Sequence, residues 1–127
     1  MPEPVSCLYG FYEEEPVYGE YQPSQQVIAG LEKLSSELAQ DCYLEFGLIH
    51  QTDQVLVEVF VDNSKYLKYW GVDETAFRQL LNEYFIPEVA ALNFYDEFPK
   101  VVVPLVNIRP DLLSTEQIIN SLKVLFP

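Results

Sequence analysis

The chain has 127 residues and a net charge of −13, from 20 acidic and 7 basic residues, and 49% of its residues are hydrophobic. This length is typical of one domain, and the apolar content argues against a disordered chain. The charge disfavours direct binding of nucleic acid, which requires a basic surface. No apolar run approaches the roughly 18 residues of a membrane helix, so we expect no membrane contact.

We therefore expect residues 1–127 to form a single acidic α+β domain. Its start, Met1-Pro2-Glu3-Pro4, has neither the basic nor the apolar region of a signal peptide, and the expected location is cytoplasmic. In that compartment Cys7 and Cys42 are expected to be reduced and mostly buried.

Residues 1–23 read as a distinct segment, an N-terminal strand followed by an acidic, tyrosine-rich loop. Val5, Cys7, Tyr9 and Phe11 alternate with their neighbours, which predicts a strand. The segment that follows contains proline and glycine, which are typical of turns and loops. Most of the charge lies in this half of the chain, because residues 1–62 hold 12 acidic residues and one base, a net charge of −11.

The next elements are a helix and a β-hairpin. Ser24 is a good N-cap, and apolar residues at helical spacing predict one helix over about residues 25–40 with one face in the core. Alternation then predicts strands over residues 43–49 and 55–61, paired as an antiparallel hairpin. Four valines lie at every second position of the latter strand and predict one buried face: Val55, Val57, Val59 and Val61. A weaker third strand is predicted within residues 65–70.

The sequence of the second half of the chain predicts a helix, then a strand, then another helix. Asp73 can cap the first of these helices, which carries an apolar stripe formed by Phe77, Leu80, Leu81, Tyr84 and Phe85. Pro87 kinks that helix or starts another, whose apolar face would continue through Val89, Leu92 and Tyr95. A β-rich run over residues 100–108 contains Pro104, so it is predicted as an edge, bulged or broken strand.

After a turn at residues 109–111, Ser114 and Gln117 match a capping box that begins a C-terminal helix. The order β-α-β-β-(β)-α-β-α predicts an α+β fold with a small antiparallel or mixed sheet and helices packed on one face.

The sequence contains no recognisable catalytic or cofactor motif. His50 is the only histidine, and it has no nucleophile or acid in a triad pattern, so we interpret it as a solvated or hydrogen-bonded residue at a hairpin rim. Cys7, Cys42 and His50 lack the spacing of a metal site, and the five glycines are too far apart for a phosphate loop. Glu45 and Glu58 could face each other across the hairpin, which gives the weakest alternative, a small carboxylate-dependent enzyme.

Acidic residues interleaved with tyrosines are the most distinctive feature. Tyrosine provides a large, stiff contact area, and carboxylates accept charge-assisted hydrogen bonds from Arg and Lys. The alternative is a solvated loop whose tyrosines fold back onto the core. The predicted partner-binding residues are Tyr12, Glu13, Glu14, Glu15, Tyr18, Glu20 and Tyr21.

The leading hypothesis is an acidic protein-binding module, without enzymatic activity or cofactor, that masks a basic protein partner. Immunity-type and antitoxin-type inhibitors of nucleases, or of other nucleic-acid-handling proteins, are of this kind: they are small, and their charge is opposite to that of the protein they bind. The alternative is an accessory or assembly subunit of a larger complex. In that case exposed tyrosines and Trp70 form the contact, and the charge serves only solubility.

Overall fold

The computed structural model describes residues 2–86, 88 and 103–127. Five antiparallel strands and five helices lie within these residues, which confirms the predicted α+β class. Several predictions lie outside the described residues: the role of Pro87, the continued apolar face at Val89, Leu92 and Tyr95, and the beginning of the strand over residues 100–108. No helix of the described part has the length and apolar composition needed to cross a bilayer.

The sheet has the order β2-β1-β3-β4-β5, and every neighbouring pair is antiparallel. Its strands are β1 (Ser6–Phe11), β2 (Val17–Tyr18), β3 (Leu44–Gln51), β4 (Leu56–Val61) and β5 (Leu67–Trp70). The predicted hairpin is confirmed by β3 and β4, in which Leu48 pairs with Val59. The weakly predicted third strand is β5. Because β1 lies between two other strands and under the helices, its residues from Ser6 to Gly10 are all buried.

One face of the sheet carries the core, and three helices cover it: α1 (Ser24–Glu32), α2 (Ser35–Gln40) and α5 (Thr115–Leu125). Side chains of β1 and β3 interdigitate there with apolar residues from these helices. The buried cluster consists of Val5, Cys7, Tyr9, Val27, Leu34, Leu38, Leu44, Ile118, Ile119, Leu122 and Phe126.

The predicted starts of two helices are confirmed. The Asp73 side chain accepts a hydrogen bond from the Ala76 amide at 3.0 Å and caps α3 (Glu74–Glu83). At α5, Ser114 and Gln117 form the reciprocal capping box, in which each side chain accepts from the other residue's amide. Both motifs satisfy amides that have no partner within the helix.

The prediction of one helix over residues 25–40 is wrong, because the chain forms α1 and α2 with a break at Lys33 and Leu34. Gly30 weakens the preceding turn, and its missing side chain lets α1 approach Phe126, since a Cβ at Gly30 would lie 2.8 Å from the Phe126 ring. At the break, Leu34 enters the core in a non-helical conformation.

Ser24 is also not the N-cap of α1; that position belongs to Pro23. The Glu3 carboxylate accepts hydrogen bonds from the Ser24 amide, at 2.9 Å, and from its hydroxyl. These bonds lower the pKa of Glu3. An acid from the N-terminal segment therefore caps the helix in place of the expected serine.

Residues 105–108, predicted as part of a strand, form the short helix α4 (Leu105–Ile108). Pro104 cannot donate to a strand ladder, and its carbonyl instead accepts from the Asn107 amide at 3.0 Å. The high β-propensity of this run is thus overridden by proline at its centre. The turn that follows is confirmed, since the Leu112 amide donates to the Arg109 carbonyl at 3.0 Å.

The prediction that four valines share one buried face holds only for Val57, which is 9% exposed. Val55, Val59 and Val61 are partly exposed. The buried cluster is centred on β1 and β3, so β4 lies at its margin. Alternation identified the strand correctly, but it carries no information on how far the helical layer extends.

Candidate protein-binding surface

The loop between β1 and β2 begins with a tight turn that carries its first acidic residues outward. The Glu14 amide donates to the Phe11 carbonyl at 3.1 Å and closes this four-residue turn. Glu13, at its third position, has a φ of 68°. Glycine is strongly preferred in that left-handed conformation, because a side chain there is crowded by the backbone. A glutamate thus occupies a position whose backbone does not favour it.

The loop leads into β2, an edge strand whose outer side offers few backbone groups for pairing. Pro16 has no amide hydrogen, and the Glu20 amide donates to the Pro127 carbonyl at 2.7 Å. The Gly19 amide points inward, to the Cys7 carbonyl at 2.9 Å. Since hydrogen-bonding direction alternates along a strand, the amide and carbonyl of Tyr18 point outward, and no described residue bonds to them. Among the described residues, this edge therefore presents mainly side chains to solvent.

Two of the three predicted tyrosines are accessible. Tyr18 is 58% exposed and Tyr21 is 47% exposed, whereas Tyr12 is half-buried. The Tyr21 hydroxyl accepts from the Gln51 amide at 3.1 Å, and its ring meets His50 edge-on with centroids 6.5 Å apart. Tyr21 is thereby held in place against the end of β3 while part of its ring stays in solvent.

The exposed acids and tyrosines follow the whole sheet edge. We refer to them as the acidic edge, which consists of Glu13, Glu14, Glu15, Tyr18, Glu20 and Tyr21. The turn lies beside Tyr43, whose carbonyl accepts from the Tyr12 amide at 2.8 Å, and Tyr21 lies beside Gln51. Gln51 follows Tyr43 by eight positions of extended chain, which corresponds to about 25 Å.

The four glutamates of the acidic edge form no ion pair with any residue of the described part. The first 62 residues contain a single base, Lys33. The ion pairs within the described residues lie elsewhere: Lys68–Asp62, Arg78–Glu74, Arg78–Glu88 and Arg109–Asp111. Within the part of the chain that the structure describes, the negative charge of this edge is therefore not neutralised by an ion pair.

His50 is buried and hydrogen-bonded. It is 8% exposed, and its ring donates from Nδ1 to the Pro4 carbonyl over 2.6 Å. This confirms the prediction of a hydrogen-bonded residue, although the ring is not solvated. Its contacts fasten the N-terminal segment to the end of β3, which is a structural role.

The two cysteines are free, and they differ in environment. Cys7 is buried in the core, and burial raises the pKa of its thiol to about 12. Cys42 is exposed, so the prediction that both are mostly buried is wrong for this residue. Within residues 2–86, 88 and 103–127, no three His, Cys, Asp or Glu side chains are placed to hold a metal ion.

Glu45 and Glu58 do not face each other, which corrects the arrangement considered for a carboxylate pair. Glu58 pairs with Ile49 of β3, four residues from Glu45, so the two are separated by about 13 Å along the strand. Glu45 instead accepts from the Asn63 amide at 3.1 Å. Burial raises the pKa of both glutamates, but the two carboxylates share no cleft.

A second surface contains Trp70, which the alternative hypothesis named as a contact residue, but its groove was not predicted. α3 has no buried residue, although its apolar stripe is typical of a helix that faces a core. Between α3 and β5 lies a groove of about 680 Å³, whose apolar walls are Leu67, Tyr69, Trp70, Phe77, Leu81 and Ile86. We refer to these six residues as the β5–α3 surface. The apolar stripe of α3 was visible in the sequence, but periodicity does not show what covers an apolar helix face.

The described residues therefore present two contact surfaces at opposite edges of the sheet, one acidic and one apolar. No protein-family model, curated protein or solved structure matches the chain.

Proposed function

We propose that this protein is an acidic binding module that masks a basic surface of a protein partner. The proposal includes the class of immunity-type and antitoxin-type inhibitors of nucleases or other nucleic-acid-handling proteins. One observation carries it: the glutamates of the acidic edge are exposed, lack a basic neighbour among the described residues and alternate with exposed tyrosines. In this proposal the protein acts by binding, without catalysis or a cofactor.

Electrostatics supports a basic partner. The half of the chain that forms the acidic edge holds −11 of the total charge of −13. Such a field attracts a positively charged surface and raises the association rate by one to three orders of magnitude at low salt. Carboxylates also compete for Arg and Lys side chains that would otherwise bind phosphates, because they accept the same charge-assisted hydrogen bonds.

The backbone of the turn gives independent support. Glu13 has a left-handed conformation that costs about 1–2 kcal/mol for a residue with a side chain. Unfavourable conformations of this kind concentrate at functional sites. A carboxylate at such a position is consistent with a role in recognition, since glycine would suit the turn better.

The size of the surface also supports the proposal. A typical protein interface buries about 800 Å² per partner, the area of a square roughly 28 Å wide. The acidic edge extends over a comparable length, and Tyr18 and Tyr21 lie along it. Tyrosines in such positions commonly supply anchoring contacts, while surrounding charges set the association rate.

The test is affinity capture from the native organism at low salt, with the captured protein identified by mass. The bait is compared with a triple variant of the acidic edge, Glu13→Gln, Glu14→Gln and Glu15→Gln. A matched triple variant, Glu32→Gln, Glu83→Gln and Glu116→Gln, removes three exposed charges from elsewhere. We expect the wild type and the matched variant to capture the same basic protein and the edge variant to lose it. Equal capture by both variants would refute the proposal.

A second candidate is an accessory subunit that joins a larger complex through the β5–α3 surface. It is favoured by the apolar side chains that this surface leaves exposed, among them Trp70 and Ile86. An apolar contact should persist at high salt, where an acidic one weakens. Elution by salt therefore separates the two candidates. We further propose a cytoplasmic location, where the free thiols of Cys7 and Cys42 would stay reduced.

A further inference from the structure

The end of α5 and the two residues that follow it are fastened in the core. Phe126 is 1% exposed, and its carbonyl accepts a hydrogen bond from the Tyr9 hydroxyl at 2.9 Å. Its ring packs so closely on Gly30 that a Cβ there would lie 2.8 Å from it. Residues 125–127 are thereby held beside β1, and we refer to them as the C-terminal strap.

The C-terminal strap bonds to the part of the acidic edge that contains Tyr21. The Glu20 amide donates to the Pro127 carbonyl at 2.7 Å, and Gln22 Nε2 donates to the Leu125 carbonyl at 3.2 Å. Carbonyls in the last turn of a helix have no partner within it, so the Gln22 side chain satisfies a group that α5 leaves unpaired. The residues on both sides of Tyr21 are therefore bonded to the strap.

Gly19 allows the strap to approach this closely. A Cβ at this position would lie 2.9 Å from the Phe126 carbonyl oxygen and 3.2 Å from that of Cys7. Gly19 is also bonded to β1, because its amide donates to the Cys7 carbonyl at 2.9 Å and its carbonyl accepts from the Ser6 hydroxyl at 2.6 Å. The chain at Gly19 thus lies between β1 and the strap, in contact with both.

The other part of the acidic edge has no such support. Among the described residues, no hydrogen bond joins Glu13, Glu14 or Glu15 to the strap. Tyr21, in contrast, lies between two strap-bonded residues, and its hydroxyl accepts from the Gln51 amide. The acidic edge therefore combines glutamates that project from a turn with a tyrosine whose position is fixed from several sides.

We infer that the C-terminal strap positions the acidic edge for its partner, because it keeps residues 19–22, and with them Tyr21, in the conformation that the basic partner contacts. This inference rests on the proposed function. A contact residue that is already ordered in the free protein loses little conformational entropy on binding. Tyrosine suits this role, since it has few rotatable bonds and a large contact area. We therefore expect the strap to set the dissociation rate and the glutamates to set the association rate.

A strap variant that combines Tyr9→Phe with Gln22→Ala tests the inference. It removes the hydrogen bonds to the carbonyls of Phe126 and Leu125, keeps the aromatic ring in the core and changes no charge. Circular dichroism and urea unfolding establish that it is folded. If Tyr9→Phe prevents folding, Gln22→Ala alone serves as the strap variant, because Gln22 is only partly buried.

The matched variant combines Thr115→Val with Gln40→Ala. It likewise removes one hydroxyl donor, which bonds to Asp41 at 2.6 Å, and one glutamine amide donor, which bonds to the Ser36 carbonyl at 3.1 Å. Neither donor bonds to the strap or to the acidic edge, and the charge is again unchanged. This variant therefore reports the effect of lost hydrogen bonds alone.

Amide hydrogen exchange on the free protein tests whether the strap holds the edge. We expect the Glu20 amide to be protected in the wild type and in the matched variant, and to exchange at least about fivefold faster in the strap variant. The Gly19 amide, which bonds to Cys7 within the sheet, is the internal reference and should be unchanged.

Binding kinetics with the captured basic partner tests whether this support matters for recognition. We expect the strap variant to dissociate at least about fivefold faster than the wild type, and to associate within about twofold of its rate at low and at high salt, since every charge remains. The matched variant should keep both rates. The triple Gln variant at Glu13, Glu14 and Glu15 should show the opposite pattern, with slower association.

Three results would overturn the inference. One is a Glu20 amide that exchanges equally fast in the wild type and in the strap variant, because the strap then does not hold the edge. Another is an unchanged dissociation rate in the strap variant. The third is equally faster dissociation in the strap and matched variants, which would reflect lost stability. Equal capture of the partner by the two triple Gln variants refutes only the proposed recognition by charge and leaves the exchange result as it is.

Discussion

At the scale of single residues, Glu13 combines an unfavourable backbone conformation with a charge exposed at the tip of a turn. We predict that Glu13→Gly raises the free energy of unfolding by up to about 1 kcal/mol. Glycine removes the steric cost of the left-handed conformation, and its greater freedom in the unfolded chain offsets part of that gain. Glu14→Gly is the control, since Glu14 has no positive φ, and it should not stabilise. Urea unfolding measures both; equal effects would show that the turn stores no strain.

Glu58 is an acid whose ionised form is disfavoured by the fold. Burial raises its pKa above the ordinary value of 4.5, and no charged neighbour contributes. The folded state therefore holds a proton more readily than the unfolded state, and this contribution to stability is present at low pH and lost as pH rises.

We predict that Glu58→Gln is more stable than the wild type at neutral pH, and that the difference shrinks as pH falls toward about 4. Glu32→Gln removes a charge from an exposed position on α1 and serves as the control. Urea unfolding at a series of pH values gives the comparison. A difference that is constant across this range would mean that the carboxyl group does not titrate differently in the folded protein.

The two thiols should react very differently. The pKa of Cys7 is about 12 and its side chain is buried, whereas Cys42 is exposed. Because the thiolate is the reactive form, we predict that one thiol per folded chain reacts with an aromatic disulfide reagent at about pH 8, and two after unfolding. Cys42→Ser should show none until unfolded. Rapid reaction of that folded variant would place Cys7 outside the core.

At the scale of elements, the position of each strand in the sheet decides which side chains matter for stability. Val57 is buried opposite His50, whereas Val55 lies just before β4 and is partly exposed. We predict that Val57→Asp costs about 3 kcal/mol or more, because it buries an unpaired charge. Val55→Asp, the matched control, should cost less than half as much. Thermal and urea unfolding measure both, and similar melting temperatures would contradict the burial of Val57.

Elements with a strong local pattern could be predicted from the sequence. Alternation located β1, β3 and β4, and side-chain caps located the starts of α3 and α5. The break between α1 and α2 could not be predicted, because neither Lys33 nor Leu34 disfavours a helix strongly and the packing of Gly30 on Phe126 is a tertiary contact. Capping of α1 by Glu3 depends on a contact between residues that lie 21 positions apart in the sequence.

Prediction of the candidate surfaces from the sequence is limited in the same way, because their arrangement depends on tertiary contacts. Acidic residues and tyrosines in residues 12–21 predicted an exposed loop, and all but Tyr12 are exposed. Their arrangement over about 25 Å of sheet edge depends on the pairing of β2 with β1, which no local pattern gives. The apolar stripe of α3 was visible too, but burial depends on which elements meet, and α3 has no buried residue.

At the scale of the whole molecule, charge and apolar surface are separated. β2 carries the acidic edge and β5 borders the apolar groove, with three strands between them.

The central claim is that the acidic edge itself recognises a basic partner. It is tested most directly by association kinetics with the captured partner at low and high salt. The wild type is compared with the triple Gln variant at Glu13, Glu14 and Glu15 and with the matched triple at Glu32, Glu83 and Glu116.

We predict that the edge variant associates about tenfold more slowly at low salt, with a flattened salt dependence and an unchanged melting temperature. The matched variant should stay within about twofold of the wild type, because rates depend on charges close to the contact. Equal rates in the two triple variants would contradict the account, since the glutamates would then act only through net charge.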